Sequence, residues 1–370
     1  MKPPVRLFAV LLMLALCYLL IWPADSMAEY ASVGDIREET KDGWHETYEA
    51  HGRTITVDIP VNVPEVDFFP VLRVNKAPAV PKQQLDGYEP VLNDEGYFVA
   101  RKLPAYDVSP KHAEFAWFKT LTVLSPEEVD WDRRLMEENE LTARQALGIF
   151  QKALTRFFGK EWQESLHLES VWVRGCQYEY FRETKSFGEP LTKLGSYEFY
   201  FVQKMKGIPV VVDTFGISPS RDGERHPPNI RSEADVFSED YFTLYVSLVN
   251  IVDEPYPDVP LLSFQRVKAA YEKLILAGRL REVSSLKLGY MLYVDPVEED
   301  IFWAVPVWVL DGIVYNNAKE EAPPPPEPGM DTRPTKREVL LAQHGTIVSG
   351  YNKSLSRYYV PDVLAWEDVK

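Results

Sequence analysis

Histidine and cysteine most often hold metals or act as nucleophiles in proteins, and both are sparse in this chain. The six histidines are His45, His51, His112, His167, His226 and His344. No two of them are three or four residues apart, the spacing that would place two ligands on one helix face. The sequence also has no P-loop, H-E-x-x-H, G-x-S-x-G or EF-hand pattern. We therefore predict no metal site, no cofactor and no catalytic set.

One short stretch matches the S-x-x-K pattern of the serine enzymes that bind penicillin. It runs from Ser284 to Lys287. That chemistry needs the serine at a helix N-terminus and the lysine one turn later, where it can accept the hydroxyl proton. Here the motif leads into an apolar stretch of β type, in which residues three apart point to opposite faces. We predict a solvated strand entry at this position.

Acidic residues cluster near two predicted turns. They are Glu298, Glu299 and Asp300 in one turn, and Asp253, Glu254 and Asp258 near the other. Oxygen-rich turns can hold calcium, but neither group has a ligand-spacing pattern, so solvated turns are favoured. Paired carboxylates can also hydrolyse glycosides. With 56 acidic residues in the chain, such an enzyme remains an alternative, although the sequence singles out no pair.

Aromatic residues in predicted strands give the best hint of a binding function. They include Tyr178, Tyr180, Phe181, Tyr197, Phe199, Tyr200, Phe201, Tyr241, Phe242, Tyr245, Trp303 and Trp308. Alternation along a strand sends one set into the core and the other outward. Outward tyrosine and tryptophan can form a platform for a peptide, a glycan or a partner protein. Trp303, Trp308 and Tyr245 are the candidate binding residues.

Two amphipathic helices would position these strands. Thr142 is a good N-cap for the first helix, apolar residues recur at helical spacing through 146–158, and Gly159 can end it. Ser263 is the N-cap of the second helix, and Gly278 closes it. Neither helix can bury its apolar stripe alone, so each should pack on the strands that follow it.

Antiparallel strands are predicted after each helix. Those after the first helix cover 166–181, 197–214 and 242–252. After the second helix, Leu286 to Tyr315 contains two strands joined by the acidic turn, with Asp311-Gly312 as a further turn. Residues 339–348 are predicted to continue that sheet.

The predicted fold class is α+β, with two helix-on-antiparallel-sheet repeats after an N-terminal β-rich segment. The predicted parts are a signal peptide (1–28), the N-terminal β-rich segment and linker (29–140), the first repeat (141–252) and the second repeat (253–370). The second repeat carries a proline-rich loop at 318–334, which cannot pair in a sheet. The polar stretch at about 29–52 is predicted to be a flexible entry segment.

The N-terminus carries a targeting pattern. Lys2 and Arg6 precede an apolar run of about fifteen residues, and the small residue Ala28 ends a cleavage-site pattern. We expect a secretory signal peptide cleaved after Ala28; an uncleaved membrane anchor and a lipobox at Cys17 are alternatives. The mature chain would then retain Cys176 alone, so an internal disulfide would be impossible. Cys176 is predicted to be a buried small apolar side chain.

Charge and composition limit the possible partners. The chain has 370 residues, a net charge of −16 and 45% hydrophobic residues, enough apolar material for a sizeable core. The negative charge is spread along the chain. Nucleic acid and anionic membrane surfaces are therefore poor partners, because both are bound through clustered lysine and arginine.

Two stretches resemble the PepSY-like domains of exported bacterial proteins. One is PVWVLDG with Ala342 to Ile347 downstream, which is similar to the aromatic strand and last hairpin of such a domain. The other, Tyr197 to Val210, looks like the matching strand and turn of a first domain. The exported part resembles secreted proteins and lipoproteins of unknown function from Clostridia-type bacteria and, more distantly, the extracytoplasmic regulators of the cell-wall sensor kinase. The lipobox and His344 depart from the pattern, and the shared motifs are structural.

The sequence therefore predicts an exported, non-enzymatic binding or regulatory module that acts on a protein partner at the cell surface. The alternatives are a secreted hydrolase of wall or dietary polymers that uses carboxylates, and a PepSY-like inhibitor of a secreted peptidase.

Overall fold

The computed structural model describes most of the chain after residue 29. The described residues are 30–77, 89–92, 98–102, 115–118, 121–137, 139–181, 184, 186–190, 194–211, 230–240, 242–278, 280, 282–295, 297–313, 335–343 and 347–349. The predicted signal peptide, the proline-rich loop 318–334 and His112, His226 and His344 lie outside these residues. Among the described residues, no helix has the length and apolar character needed to cross a bilayer.

The described residues form a mixed α+β fold, as the sequence predicts. The helices are α1 (Val33–Thr40), α2 (Ala143–Phe158), α3 (Lys160–Ser165) and α4 (Phe264–Leu276). The first strands are β1 (Tyr30–Ala31), β2 (Trp44–Ala50), β3 (Arg53–Ile59), β4 (Val61–Asn62), β5 (Val71–Lys76), β6 (Glu89–Leu92), β7 (Phe98–Lys102), β8 (Phe115–Phe118), β9 (Leu121–Leu124), β10 (Leu166–Arg174) and β11 (Gln177–Phe181). The later strands are β12 (Ser186–Pro190), β13 (Ser196–Met205), β14 (Ile208–Pro209), β15 (Arg231–Val236), β16 (Phe242–Val246), β17 (Val249–Tyr256), β18 (Leu261–Leu262), β19 (Glu282–Val294), β20 (Ile301–Ile313), β21 (Thr335–Leu341) and β22 (Ile347–Ser349).

The first large sheet is antiparallel and has the strand order β6-β7-β16-β15-β13-β10-β9, with β14 paired to β13. One of its faces packs on α2, where Phe150 stacks on Phe201 with ring centroids 4.5 Å apart. Because neighbouring residues of a strand point to opposite faces, the residues between these core positions point away from the helix. Strands β8, β11 and β12 form a separate small sheet.

Helix α2 begins and ends where the sequence predicts. The Thr142 hydroxyl accepts a hydrogen bond from the Gln145 N–H, and the Gln145 side chain accepts one from the Thr142 N–H, which is a capping box. Gly159 ends the helix with a φ of +81°, a backbone conformation that glycine adopts without strain.

The second large sheet has the strand order β17-β5-β20-β19-β4, with β21 and β22 continuing from β20. Strands β19 and β20 pair along their whole length, from Glu282 opposite Ile313 to Val294 opposite Phe302. On the other side of β20, the first half pairs with β5 and the second half with β21. Helix α4 belongs to this core, where the Tyr271 hydroxyl donates to the Trp308 carbonyl at 2.9 Å.

The N-terminal segment predicted at 29–140 contributes to both large sheets. Strand β5 belongs to the second sheet, whereas β6, β7 and β9 belong to the first. The stretch predicted to be a flexible entry is ordered, since it contains α1 and β2. The Ser32 side chain caps α1, and Val33, Ile36 and Trp44 are buried in the core. Most residues of this segment are polar, so the sequence pattern did not indicate that a few apolar residues anchor the segment to the core.

The strand predicted at 242–252 is two strands in different sheets. Strand β16 pairs with β15 and β7 in the first sheet, and β17 pairs with β5 in the second. The buried residues Ser247 and Leu248 carry the chain from one sheet to the other. Both strands are apolar, so the hydrophobic pattern of the sequence does not indicate that the chain passes from one sheet to the other.

The turn predicted at Asp311-Gly312 is wrong. Strand β20 continues through both residues, and Asp311 lies opposite Ser285 and Arg337. A Cβ atom at Gly312 would lie 2.4 Å from the Glu282 carbonyl oxygen, so glycine is needed there for close strand approach.

Candidate functional site

The face of the first sheet that points away from α2 carries polar and aromatic side chains. We call it the acidic–aromatic face; its residues are Trp172, Arg174, Glu198, Tyr200, Glu233, Asp235 and Tyr245. Each of them alternates with a residue of the α2 core, such as Val171, Val173, Tyr197, Phe199, Ala234, Val236 or Leu244. The same alternation that builds the core therefore places these side chains together.

Strand register arranges the face in rows. In one row Trp172, Glu198 and Asp235 are direct cross-strand neighbours on β10, β13 and β15. Glu198 thus lies opposite Asp235, so two carboxyl groups are juxtaposed. Side chains opposite each other on an antiparallel pair have Cβ atoms roughly 5 Å apart, and like charges there are destabilising.

Tyrosines and a glutamate form the adjacent row. Tyr200 lies opposite Glu233, and Glu233 lies opposite Tyr245 on the next strand. Tyr200 is buried, whereas Glu233 and Tyr245 are half-buried. The face therefore has a buried floor and a more accessible part.

The guanidinium group of Arg174 lies near the carboxyl groups of both Glu198 and Asp235. Arg174 forms an ion pair with Glu198 and lies 3.8 Å from Asp235 Oδ2 through Nη1. Its Nη2 also donates to the Tyr200 hydroxyl at 3.3 Å. The Glu198 side chain is only 6% exposed and that of Arg174 17%, so these charges are largely removed from water.

Burial raises the pKa values of both carboxyl groups. Removal from water raises the pKa of Glu198 to about 7, and the charges of Asp235 and Glu233 act in the same direction. Arg174 and a hydrogen bond with Tyr200 lower it in part. Burial also raises the pKa of Asp235, against the effects of Ser196 and Arg174. Near neutral pH the folded chain therefore favours a protonated carboxyl group in this pair more than water would.

Aromatic rings border the charged groups. The Trp172 and Tyr200 rings have centroids 4.8 Å apart and are inclined at 54°. The Arg174 guanidinium carbon lies 5.5 Å from the Trp172 ring centroid, a distance at which a cation is attracted to the ring face. Carboxylates beside aromatic rings are suited to a positively charged group.

A second polar cluster lies at the turn between β19 and β20. The Asp295 carboxylate accepts hydrogen bonds from the backbone N–H groups of Val297 and Glu298, at 2.8 and 2.9 Å, and from Trp303 Nε1 at 2.7 Å. Burial alone would raise the pKa of Asp295, but these hydrogen bonds and the charge of Arg73 together lower it. The carboxylate thereby fixes the shape of the turn.

Arg73 joins the two acidic groups that the sequence places in separate turns. Its Nη1 lies 2.9 Å from Asp253 Oδ2, and its Nη2 pairs with Glu298. The guanidinium carbon also lies 5.7 Å from the Trp303 ring centroid. In the described part of the chain, no group of three or more histidine, cysteine, aspartate or glutamate residues is arranged to hold a metal.

The three predicted binding residues have different environments. Tyr245 is part of the acidic–aromatic face, and Trp303 is half-buried beside Arg73. Trp308 is 0% exposed and its ring lies 6.3 Å from that of Phe264, so it belongs to the core and offers no binding surface. The two tryptophans are five positions apart on β20, and an odd separation places them on opposite faces.

The S-x-x-K stretch lies in β19, as predicted, and does not form a catalytic pair. The Ser284 hydroxyl donates to the Asp311 carbonyl at 3.1 Å, and Lys287 Nζ pairs with Glu169 at 2.9 Å. Both side chains therefore contact residues outside the motif, as expected for strand positions three apart.

Sequence reasoning missed most residues of the acidic–aromatic face. It does not single out Trp172, Arg174, Glu198, Glu233 or Asp235, because the strands that carry them are not adjacent in the sequence. A signal was nevertheless present: Glu198 is the one acidic residue in the aromatic stretch Tyr197 to Phe201. An ionisable residue at such a position is buried next to a partner or a ligand.

Comparison with known proteins adds little on function. No protein-family model and no curated protein matches the chain. It is similar to the crystal structure of an uncharacterized protein from Eubacterium rectale, with 13% sequence identity and a TM-score of 0.49. The match covers 79% of this chain and 90% of that chain. A likeness of this degree carries no information about activity.

Proposed function

We propose that this protein is an exported, non-enzymatic binding module whose acidic–aromatic face takes a positively charged segment of a protein partner at the cell surface. The observation that carries the proposal is the pair Glu198 and Asp235. Their carboxyl groups lie on opposed strand positions, and both are near the guanidinium group of Arg174. When both are ionised, the two carboxylates carry one negative charge more than Arg174 offsets, and an incoming lysine or arginine would offset it in place of a proton.

Charge on neighbouring residues supports the same partner. Glu233 places a third carboxylate on the face, opposite Tyr200 and Tyr245. The chain as a whole has a net charge of −16. Such a field attracts basic segments and increases their rate of association.

Aromatic side chains would hold the cation in place. Trp172 and Tyr245 are half-buried, so part of each ring is accessible beside the carboxylates. A cation over an aromatic face contributes about 0.5–2 kcal/mol, more where water is excluded. The rings and carboxylates together would favour arginine or lysine over an apolar residue.

Export and the repeat architecture belong to the same proposal. The N-terminal pattern of residues 1–28 supports secretion, and Cys176, the one cysteine that would remain after cleavage, is buried. The resemblance to PepSY-like repeats is supported by the packing of α2 on the first sheet and by the place of α4 in the core of the second.

A pull-down from the native cell envelope with residues 29–370 tests the proposed function. We expect a retained protein whose capture falls at least 10-fold with Asp235→Asn and Tyr245→Ala combined. Asp130→Asn, at an exposed position outside the acidic–aromatic face, should leave capture unchanged. Equal capture by the wild-type and combined-variant chains would refute the role of this face.

The carboxyl pair also favours a second candidate, a hydrolase of wall or dietary polymers. Glycosidases use two carboxyl groups, one protonated and one ionised, and Glu198 has a pKa suited to an acid. Release of reducing sugar from wall polymers, abolished by Glu198→Gln, would favour this enzyme over the binding module. No release by the wild-type chain would eliminate it.

A further inference from the structure

Two exposed valines lie next to residues that bind Arg73. Val297 and Val252 are 84% and 46% exposed. Val252 precedes Asp253 and Val297 precedes Glu298, and both carboxylates bind Arg73. The guanidinium group therefore holds the two valine-bearing segments beside each other. We call the two valines, with Arg73, Asp253, Glu298 and Trp303, the tip surface.

The tip surface is held in one conformation by the residues beneath it. Asp253, Arg73 and Trp303 are cross-strand neighbours on β17, β5 and β20. Asp295 anchors the turn that carries Val297 by accepting from its N–H and from the Trp303 indole. An apolar side chain on such a fixed turn loses little conformational entropy when a partner covers it.

The edge of β17 is not suited to binding a partner by strand addition. Strand β17 is the end strand of its sheet in the described part of the chain, but its register shifts between Ile251 and Asp253 and again between Asp253 and Tyr256. Pro255 lies within the second irregular stretch. Bulges and proline protect an edge from strand addition, so recognition would use side chains.

The charge around the exposed valines selects the partner. Arg73 offsets part of the charge of Asp253 and Glu298, and the exposed residues Glu299 and Asp300 follow on the same turn. The surface is therefore apolar at Val297 and acidic around it. A complementary segment has an apolar side chain flanked by lysine or arginine.

We propose that the tip surface is a second docking site, separate from the acidic–aromatic face, for a protein segment that presents one large apolar side chain between basic residues. Tryptophan and arginine are the residues most enriched at the energetic centres of protein interfaces, and Trp303 and Arg73 provide both. The apolar side chain of the partner would contact Val297 and Val252, and its basic residues would face Glu299 and Asp300.

A panel of synthetic peptides of equal length tests the proposal on the purified full chain with Asp235→Asn and Tyr245→Ala, so that the acidic–aromatic face does not contribute. One peptide places leucine between lysines, the second places leucine between glutamates, and the third replaces the leucine of the first with serine. We expect binding of the first alone, weakened roughly 10-fold by Val297→Ser, which is the effect of losing the burial of one aliphatic side chain. Leu276→Ser, at a 50% exposed position of α4, is the matched control and should leave binding unchanged.

Charge reversal gives a second measurement. Glu299→Lys combined with Asp300→Lys should weaken binding of the lysine–leucine peptide at least 10-fold at low salt and less at high salt. Glu137→Lys with Glu140→Lys, both at exposed positions outside the tip surface, is the control. These measurements are made in the same Asp235→Asn and Tyr245→Ala background, which separates this site from the acidic–aromatic face. Binding of the serine and leucine peptides with equal affinity, or an unchanged affinity of Val297→Ser, would overturn the proposal.

Discussion

Glu198 lies directly opposite Asp235 on neighbouring strands, and both carboxyl groups share the guanidinium group of Arg174. Like charges at opposed strand positions repel, and burial strengthens that repulsion. The arrangement therefore destabilises the folded chain when both groups are ionised, and it favours the uptake of a proton or of an external cation.

Stability should depend on pH through Glu198. The pKa of its carboxyl group rises from an ordinary value of 4.5 to about 7 in the folded chain, so the folded state binds the proton more tightly than the unfolded state does. The stabilising effect of that proton is complete below pH 4.5 and is lost as the pH rises to 7. We expect the free energy of unfolding to fall over this range by about 3 kcal/mol more in the wild-type chain than in Glu198→Gln.

Urea denaturation at half-unit pH steps measures this difference. Glu161→Gln, at an exposed position of α3, is the control and should have a pH profile parallel to that of the wild-type chain. If the wild-type and Glu198→Gln profiles are parallel between pH 4.5 and 7, Glu198 does not titrate there.

Removal of Arg174 should be strongly destabilising at high pH. In Arg174→Met, Glu198 and Asp235 would remain buried without their common cation, a situation that costs about 3–5 kcal/mol. At pH 5 the loss should be smaller because the carboxyl groups take up protons. The comparison is Arg144→Met, which breaks the exposed pair with Asp132 and should have little effect at either pH. An equal loss at pH 5 and pH 8 would show that packing of Arg174, not charge, is responsible.

Helices α2 and α4 were predictable from sequence because their signals are local. Thr142 and Gly159 lie within one turn of the helix they delimit, and the apolar spacing between them identifies the buried face. The strand predicted at 197–214 is instead divided into β13 and β14 by a turn at Lys206-Gly207, where both residues have positive φ values, of +51° and +82°.

The composition of the sheets was not predictable in the same way. Pairing of β5 with β20 joins residues more than two hundred positions apart, and no short stretch of either strand specifies the other. The same limitation hid the acidic–aromatic face, because Arg174, Glu198 and Asp235 come from three strands. Trp303 was identified for its residue type, but Trp308 has the same type and is buried, so the type alone did not decide exposure.

Helix α4 offers a test of which cap stabilises it. Ser263 occupies the N-cap position, but its side chain makes no capping hydrogen bond. Instead, Glu39 Oε2 of α1 accepts from the Phe264 N–H at 3.1 Å. We expect Glu39→Ala to cost about 1 kcal/mol of stability and Ser263→Ala distinctly less, whereas Thr142→Ala at the capping box of α2 should cost about 1 kcal/mol. Thermal unfolding of the three variants decides this; a larger loss from Ser263→Ala than from Glu39→Ala would show that the local residue is the effective cap.

Gln203 should be important for the junction between the two sheets. Its Nε2 donates to the Val249 carbonyl at 2.8 Å, and its Oε1 accepts from the Val249 N–H at 2.9 Å, so a residue of β13 holds the first residue of β17. In Gln203→Leu both backbone groups would be buried without partners, at a cost of about 2–5 kcal/mol. Gln343 is a matched control because it is also buried, and its Nε2 has no acceptor among the described residues. Gln343→Leu should therefore cost much less in urea denaturation, and equal losses in the two variants would mean that the hydrogen bonds to Val249 do not hold the junction.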